Sequence, residues 1–287
     1  MSRIYMMADI HGRKNPIRDF YNRRLAEGIR PNSNDTMILL GDSGLNYFFN
    51  NRDEGLKRDL MAYSMNYFAI RGNHEERPEV VAAKNPNKWH QEIFWGNWVW
   101  VENEFPRIKY ALDQAAIYHI PYIVGYCEGT KENDWCDEGE PIWSTWKTLV
   151  LPGAFSVDKH YRLSQGWSWF EGEQMTAEER HAAEALVAEN IKVDIVLSHT
   201  CPAIFEPTDL FLSVVDQTMV DKTTEQFLGH IEYLLEYDTW FWGHFHKLRE
   251  YPRNQEDGKR QLMLYNDAAI DLREYMIYEM PVEMLKI

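Results

Sequence analysis

The stretch NYFAIRGNHE, residues 66–75, places an apolar run directly before a dense set of polar groups. The first five residues form a short and mostly apolar run, which predicts a buried strand. Gly72 then permits a sharp turn, and Asn73, His74 and Glu75 add an amide, an imidazole and a carboxylate. Ligand sites in open α/β sheets lie beyond the carboxyl ends of the strands. The stretch therefore predicts both a buried sheet and a polar site at its edge.

The same arrangement, an apolar run followed by polar residues, occurs five times along the chain. The runs are RIYMMA, TMILL, NYFAI, VDIVL and TWFW. The polar residues that follow them are, in order, Asp9 and His11, Gly41 and Asp42, Gly72 to Glu75, Ser198 and His199, and Gly243, His244 and His246. Because ligand sites of such sheets collect at the carboxyl ends of the strands, we expect these side chains to face one crevice.

Helical segments lie between several of the apolar runs. Residues 15–27 carry apolar side chains on one face, and capping-box patterns open residues 176–190 (Thr176 and Glu179) and residues 223–236 (Thr223 and Gln226). Strands that alternate with helices predict an α/β fold built in layers.

The chain shows no internal repeat, low-complexity tract or linker rich in glycine and serine. We therefore expect a single domain over residues 1–287. Two segments are typical of insertions: residues 84–105, which are rich in tryptophan, and residues 127–147, which are acidic. The tryptophans of the first segment are open to two interpretations, a platform for an aromatic group of the substrate or the small core of the insertion.

The amino-acid composition indicates which partners and which cellular compartment to expect. The net charge of −15 disfavours long nucleic acids as partners, since such a chain repels a polyanion. Only three cysteines are present, which predicts a cytoplasmic protein, although Cys127 and Cys136 could pair. No stretch approaches the roughly 20 apolar residues of a membrane span, so no membrane partner is expected. The oligomeric state is left open.

The polar residues at the strand ends are the ligand types of a transition-metal site. They comprise two aspartates, one asparagine and several histidines, and no cysteine. Such a set suits Mn, Fe, Zn or Ni and is poor for a structural thiolate zinc site. There are too many ligands for one ion, and two ions about 3.5–4 Å apart and bridged by a carboxylate would use them all. A pair of that kind clamps a phosphoryl group and makes hydroxide available near neutral pH.

The five motifs, in this order, resemble those of the calcineurin-like metallophosphoesterase family. The segment PGAFSVDKHYRLSQGWSWFEGE, residues 152–173, is similar to a stretch of bacterial and phage members whose substrates are unassigned. The resemblance implies a four-layer αββα sandwich, in which two mixed β-sheets are flanked by helices. It also implies a centre of two divalent or trivalent ions, with Mn the first expectation. The ligands it implies are Asp9, His11 and His246 for one ion, Asn73, His199 and His244 for the other, and Asp42 as the bridge.

The resemblance also implies residues that act on the substrate. His74 would be the catalytic side chain over the leaving-group oxygen, and Arg71 would hold phosphate oxygens. Protein phosphatases carry Asp-Arg-Gly shortly after Gly-Asp, and this chain has GDSGLNYFFNNRDEG instead, residues 41–55, in which Arg52 is the candidate substitute. Three further cations, Lys159, His160 and Arg162, could form a phosphate-binding rim, with Arg162 the first expectation; the alternative is a turn with packed aromatic rings.

The function expected from these features is hydrolysis of a phosphate ester by a metal-bridging hydroxide. The first candidate is a phosphomonoesterase that acts on a phosphoprotein or a small phosphorylated metabolite. The alternative is a phosphodiesterase that acts on cyclic nucleotides, dinucleotides or nucleic acid ends. A scaffold of this fold without activity is a minor third, because it predicts damaged motifs and all of them are intact here.

Overall fold

The computed structural model describes residues 2–127 and 139–278. The strands in these ranges are β1 Ile4–Met7, β2 Thr36–Leu40, β3 Asn66–Ile70, β4 Trp89–Phe94, β5 Asn97–Glu102, β6 Ile108–Tyr110, β7 Ala116–Tyr126, β8 Pro141–Leu151, β9 Ile195–Ser198, β10 Thr239–Trp242, β11 Arg249–Tyr251, β12 Arg260–Met263 and β13 Ile270–Asp271. The helices are α1 Asn15–Ala26, α2 Asn51–Ala62, α3 Pro78–Lys84, α4 Lys159–Ser164, α5 Ala177–Glu189, α6 Thr223–Leu234 and α7 Leu272–Tyr278. Short 3-10 turns occupy Glu171–Glu173, Ala203–Phe205, Thr208–Leu210 and Gln217–Met219.

The strands form two mixed sheets. The first has the order β13-β1-β2-β3-β6-β5-β4, and the second has the order β11-β12-β10-β9-β8-β7. In the first sheet β1, β2, β3 and β6 are parallel neighbours. In the second, β8, β9, β10 and β12 are parallel neighbours. Each sheet therefore has a parallel centre, where the carboxyl ends of adjacent strands point the same way.

Three apolar clusters join these elements into four layers. One cluster lies between the sheets and includes Ile38 and Phe68 of the first sheet with Leu197 and Phe241 of the second. A second cluster packs α1, α2 and α3 against the outer face of the first sheet. A third packs α5 and α6 against the outer face of the second sheet. Each fully buried side chain of this kind stabilises the fold by about 1.5–3 kcal/mol. The predicted α/β sandwich of two mixed sheets flanked by helices is confirmed.

The predicted helix starts differ in how they are capped. At α5 the predicted capping box forms, because Thr176 and Glu179 each bond the other's backbone N–H. At α6 the predicted box is wrong: Thr223 makes no such bond, and the carboxylate of Asp221 accepts the Thr223 N–H at 2.9 Å. An aspartate two residues ahead satisfies that donor equally well, so the sequence pattern alone was ambiguous.

The tryptophan-rich segment 84–105 contains the hairpin of β4 and β5, which extends the first sheet beyond β6. Trp89 packs against Tyr110 with ring centroids 5.1 Å apart, and Trp95 packs against Phe68 at the same separation. These rings build the hairpin core rather than a platform for substrate. Of the other predicted insertion, residues 141–147 belong to β8; residues 128–138, with Cys136 and its possible pairing, lie outside the described residues.

Candidate metal centre

The predicted site residues lie at the carboxyl ends of five parallel strands. In the first sheet β1 leads to Asp9 and His11, β2 leads to Asp42, and β3 leads to Asn73 and His74. In the second sheet, the ends of its two central strands carry the remaining histidines: His199 after β9, and His244 and His246 after β10. The structure brings these ends together, as the distances below show.

Asp9, His11 and His246 form one set of converging side chains, the first ligand group. The Nε2 atoms of His11 and His246 are 2.8 Å apart, and His246 Nε2 lies 3.8 Å from Asp9 Oδ1. Burial lowers the pKa of His11 to about 4, so its ring is neutral and has a lone pair available. Two imidazole nitrogens and a carboxylate oxygen that face a common point are a donor set for one transition-metal ion.

Asn73, His199 and His244 form the second ligand group. His199 Nε2 lies 2.9 Å from Asn73 Oδ1 and 3.3 Å from His244 Nδ1. The other ring nitrogen of His199, Nδ1, is 2.9 Å from the Leu40 carbonyl oxygen and donates to it. The Asn73 amide donates to Ser156 Oγ at 2.9 Å, which turns its carbonyl oxygen toward the group. These outer bonds fix the orientation that ligation by this group requires.

Asp42 lies between the two groups. Its Oδ2 is 3.9 Å from His11 Nδ1, and its Oδ1 is 3.5 Å from His199 Nε2. The backbone N–H of His74 donates to Oδ1 at 2.9 Å and holds the carboxylate in place. Burial alone would lower the pKa of His199, but the charge of Asp42 raises it to about 9. Asp42 is thus placed to interact with both groups at once.

The site suits cations because its two carboxylates are buried and face histidine side chains. Asp9 is 0% exposed and Asp42 is 2% exposed. Within the described ranges, the only ion-pair partners within 4.0 Å of these carboxylates are histidines. Buried charges without paired cations are costly, and bound metal ions would offset that cost. The donor set and the charge therefore fit the two ions expected from the sequence.

The backbone of the site is held in an unusual conformation. Asp9, His11, Asp42, His244 and His246 have φ angles of 56°, 47°, 47°, 71° and 56°. They make up five of the seven non-glycine residues with positive φ in the described part of the chain. Each such residue costs of order 1–3 kcal/mol and persists only where surrounding structure enforces it. This clustering marks the strand ends as functional rather than merely polar.

Gly243 lets the end of β10 approach the end of β1. A Cβ atom at this position would lie 2.6 Å from Ala8 Cβ and 2.6 Å from Asp9 Oδ2. We therefore expect Gly243→Ala to displace Asp9, to weaken metal binding and to destabilise the fold by about 1–3 kcal/mol. Thermal unfolding with and without added Mn²⁺ measures both effects.

Gly55 in α2 provides the matched control, since a Cβ atom there meets nothing within 4 Å. Gly55→Ala should leave metal binding intact and stabilise the helix by about 0.5–1 kcal/mol. Equal metal-induced stabilisation of the two variants would show that the contact between the strand ends does not position Asp9.

His74 lies beside the metal centre with Arg162. The Arg162 Nη2 atom is 2.6 Å from His74 Nδ1, which itself is 3.4 Å from Asp42 Oδ2. The Arg162 guanidinium is fixed by Asp158 Oδ2 at 2.8 Å and by the Tyr47 hydroxyl at 2.8 Å. A buried cation is thus held next to the His74 imidazole, which in turn lies beside the Asp42 carboxylate. The sequence suggested Arg162 by its charge alone, whereas Asp158 and Tyr47 were missed.

The other predicted cations are not brought to this centre. Arg71 is buried, pairs with Asp113 at 2.9 Å and donates to the Glu173 carbonyl oxygen at 2.7 Å. Arg71 lines neither of the two cavities described below, so its expected role in holding phosphate gains no support from these contacts. The Lys159 ammonium lies 3.5 Å from the centre of the Trp169 ring.

His160 and Glu75 also lie outside the two ligand groups. His160 is exposed and lines neither of the two cavities described below, so it does not join the rim expected from the sequence. Glu75 is buried and accepts the Gly44 N–H at 2.7 Å and the Ser43 hydroxyl. It therefore holds the turn after β2, which is a structural role.

Two cavities meet at Asp42 and His74. The first, of about 220 Å³, is the apolar arm; its apolar lining residues include Phe155, Leu210, Phe211, Val215 and Phe245. The second, of about 550 Å³, is the cationic arm, and its lining residues include Tyr47, Phe48, Arg52, Arg162 and Trp167. The Arg52 guanidinium lies 3.6 Å from the centre of the Phe48 ring. The candidate centre therefore opens to substrate on two chemically different sides.

This fold and this donor set are those of a metal-dependent hydrolase of phosphate esters. The family model for calcineurin-like phosphoesterases matches residues 2–248, and the chain belongs to that family. The family is dependent on two metal ions, and the first ligand group is one of the clusters of the described residues that could hold an ion. No curated protein matches the chain significantly.

Solved structures resemble the chain in fold at low sequence identity. The protein TT1561 of Thermus thermophilus is 12% identical, with a TM-score of 0.51 over 95% of this chain and 96% of that one. A dimetal phosphatase from Danio rerio is 11% identical, with a TM-score of 0.45 over 91% and 86%. A 5'-nucleotidase from Candida albicans is 12% identical, with a TM-score of 0.40 over 99% of this chain and 49% of that one. Within the described residues no helix has both the length and the apolar character to traverse a bilayer.

Proposed function

We propose that the two ligand groups hold two metal ions and that Asp42 bridges them. Support comes from the convergence of each group and from the position of Asp42, whose two oxygens face different groups at 3.9 and 3.5 Å. When bound, such ions would supply an activated water and neutralise charge on a phosphoryl group. Manganese is the first candidate, and iron, zinc and nickel accept the same ligands.

His74 is the catalytic side chain in this proposal. Its ring lies next to Asp42, yet Arg162 approaches both of its nitrogens, at 2.6 and 2.9 Å. His74 could also complete a ligand set with His11 and Asp42, but the adjacent guanidinium disfavours a metal ion at its ring nitrogens. His74 instead orients the ester and donates to the departing oxygen, while Arg162 offers N–H groups to the phosphate oxygens.

The reaction that this geometry supports best is hydrolysis of a phosphate monoester. The observation that carries the proposal is the buried Arg162 guanidinium beside His74, in a chain whose net charge is −15. A monoester dianion has one more negative charge than a diester, so a fixed cation at this position favours the monoester. Suitable substrates are small phosphorylated metabolites or phosphoproteins, and the acidic charge of the chain disfavours long nucleic acids.

The test compares p-nitrophenyl phosphate with bis-p-nitrophenyl phosphate, using metal-stripped protein resupplied with Mn²⁺, Ni²⁺ or Zn²⁺. We expect kcat/KM to favour the monoester at least about tenfold, which corresponds to about 1.4 kcal/mol. Arg162→Ala should remove most of that preference, and Arg162→Lys should restore only part of it, since lysine lacks the planar fork. A preference for the diester in the wild-type protein would reject the monoesterase proposal.

A phosphodiesterase is the second candidate, and the two arms favour it. Both cavities reach Asp42 and His74, so a diester could place one substituent in the apolar arm and the other in the cationic arm. Its substrates would be cyclic nucleotides, dinucleotides or nucleic acid ends.

We further propose that residues 1–287 form a single domain and that the protein acts in the cytoplasm. The shared cluster between the two sheets supports the first point, since both halves of the chain contribute to it. The low count of three cysteines supports the second. Limited proteolysis tests the first proposal and cell fractionation the second.

A further inference from the structure

The carboxylate of Glu225, which lines the apolar arm, is buried and has incomplete hydrogen bonding. Glu225 lies in the first turn of α6, lines the arm and is 4% exposed. Its Oε1 accepts a hydrogen bond from the Thr200 hydroxyl at 2.9 Å. Its Oε2 is buried and, among the described residues, has no hydrogen-bond partner. A buried polar atom without a partner costs about 1–3 kcal/mol and needs a functional or structural reason.

The other charged groups of the arm do not complete that bonding. The Lys222 ammonium pairs with Glu206 at 2.7 Å and lies over the Phe211 ring, 4.5 Å from its centre. Burial also raises the pKa of Glu225 to about 7, against the opposing effects of the Thr200 hydrogen bond and the Lys222 charge. The arm, whose lining also includes the polar side chains of Asp158, Gln217 and Lys222, thus contains on Glu225 a buried acceptor atom without a partner among the described residues.

We propose that the apolar arm binds the alcohol portion of the phosphate ester and that Glu225 Oε2 accepts a hydrogen bond from a hydroxyl or ammonium group on it. The inference rests on the proposed function, because the arm reaches Asp42 and His74, where the phosphate would bind. The substrate class is a phosphate ester of a compact apolar alcohol, aryl or alkyl, that carries a second hydrogen-bond donor. A volume of about 220 Å³ suits a group the size of one substituted ring. Glu225 then determines specificity and takes no part in the reaction.

Binding of non-hydrolysable phosphonates to the metal-loaded protein tests this inference without turnover. The probes are two nearly isosteric pairs, 4-(hydroxymethyl)phenylphosphonate with 4-ethylphenylphosphonate, and 4-(2-hydroxyethyl)phenylphosphonate with 4-propylphenylphosphonate. Within each pair only the first compound has the donor. Isothermal titration calorimetry should show that the wild-type protein binds the donor member of at least one pair about tenfold more tightly.

Glu225→Gln removes the acceptor with little change in volume. The amide oxygen stays with the Thr200 hydroxyl, so an NH₂ group, which donates and cannot accept, replaces Oε2 in the arm. A ligand hydroxyl can then only accept a hydrogen bond from this neutral group, and the bond to a charged carboxylate is lost, so we expect the preference for the donor compound to fall at least about threefold. The control is Glu232→Gln, the same exchange on the same helix at a residue that bonds Tyr237 and Lys259 instead; it should retain the preference.

Three results would overturn the inference: no preference in the wild-type protein, an unchanged preference in Glu225→Gln, or no binding of any phosphonate. Hydrolysis of phenyl phosphate by the same metal-loaded protein reports separately on the proposed function. If phenyl phosphate is hydrolysed and the preference is absent, the inference about Glu225 fails while the proposed function stands. If the preference is present and phenyl phosphate is not hydrolysed, the proposed function fails instead.

Discussion

The Asp42→Asn variant is expected to lose both metal ions together. The two oxygens of Asp42 face different ligand groups, so one substitution removes a charged ligand from each. The neutral amide also offers one oxygen instead of two, and its NH₂ group cannot ligate. We expect the affinity for each ion to fall at least about 10²-fold and phosphoesterase activity to fall with it. Metal content after dialysis, measured by inductively coupled plasma mass spectrometry, gives the result directly.

The control for this variant is Asp59→Asn, which makes the same exchange at an exposed aspartate that pairs with Lys14 on the surface. Such exposed pairs contribute about 0–1 kcal/mol, so this variant should keep both ions and full activity. If Asp42→Asn kept one ion at full occupancy and lost the other, Asp42 would be an ordinary ligand of a single ion and not the bridge.

The His74→Ala variant is expected to show the opposite pattern, with both ions retained and turnover lost. His74 contacts Asp42 and Arg162 but is assigned to neither ligand group. Loss of a group that assists departure of the alcohol should lower kcat about 10²-fold or more. Measurement of kcat and KM with p-nitrophenyl phosphate, together with metal content, separates catalysis from metal binding.

The loss of activity in His74→Ala should depend on the leaving group of the ester. This dependence distinguishes a proton donor from a structural residue. An ester with a poor leaving group, such as phenyl phosphate, should lose more activity than p-nitrophenyl phosphate, because p-nitrophenolate departs without protonation. His160→Ala is the control, since that exposed histidine lines neither cavity. Loss of metal from His74→Ala would place His74 among the ligands and remove the catalytic assignment.

The strands of the core were predictable from the sequence because their local pattern and their environment agree. TMILL, NYFAI and TWFW coincide with β2, β3 and β10, which are almost entirely buried. Two short apolar runs that resemble separate strands, AAIYHI (residues 115–120) and YIVGY (residues 122–126), contribute to the single strand β7, which pairs along its length with β8. Pro121 lies between them, and a proline is tolerated in an edge strand such as β7. Pairing with β8, rather than the local strand propensity of each run, therefore determines the extent of β7.

The helices that were not predicted from the sequence have weak apolar patterns. In α2 only Leu56 and Leu60 supply buried apolar side chains, and Gly55 lowers the helix propensity. Its start is set by a side-chain cap, in which Asn50 accepts the Arg52 N–H at 2.9 Å. Packing against the first sheet stabilises this helix, and that contribution cannot be read from twelve residues in isolation.

Candidate ligands were predictable because each follows a strand directly, so the fold itself carries them to one edge. Side chains whose direction depends on a partner far away along the chain were not predictable in this way. Arg71 has the right position along the chain, but its direction is fixed by Asp113, which is 42 residues away. Glu225 was overlooked because a glutamate in the first turn of a helix is ordinary, and only the structure shows that it lines the apolar arm.

The most direct measurement of the central claim is a crystal structure of the protein loaded with Mn²⁺, with anomalous scattering recorded to locate the ions. The account predicts two anomalous peaks about 3.5–4 Å apart, with the oxygens of Asp42 between them. One peak should lie against Asp9, His11 and His246, and the other against Asn73, His199 and His244. A single peak at full occupancy, or two peaks with no shared contact to Asp42, would contradict the account.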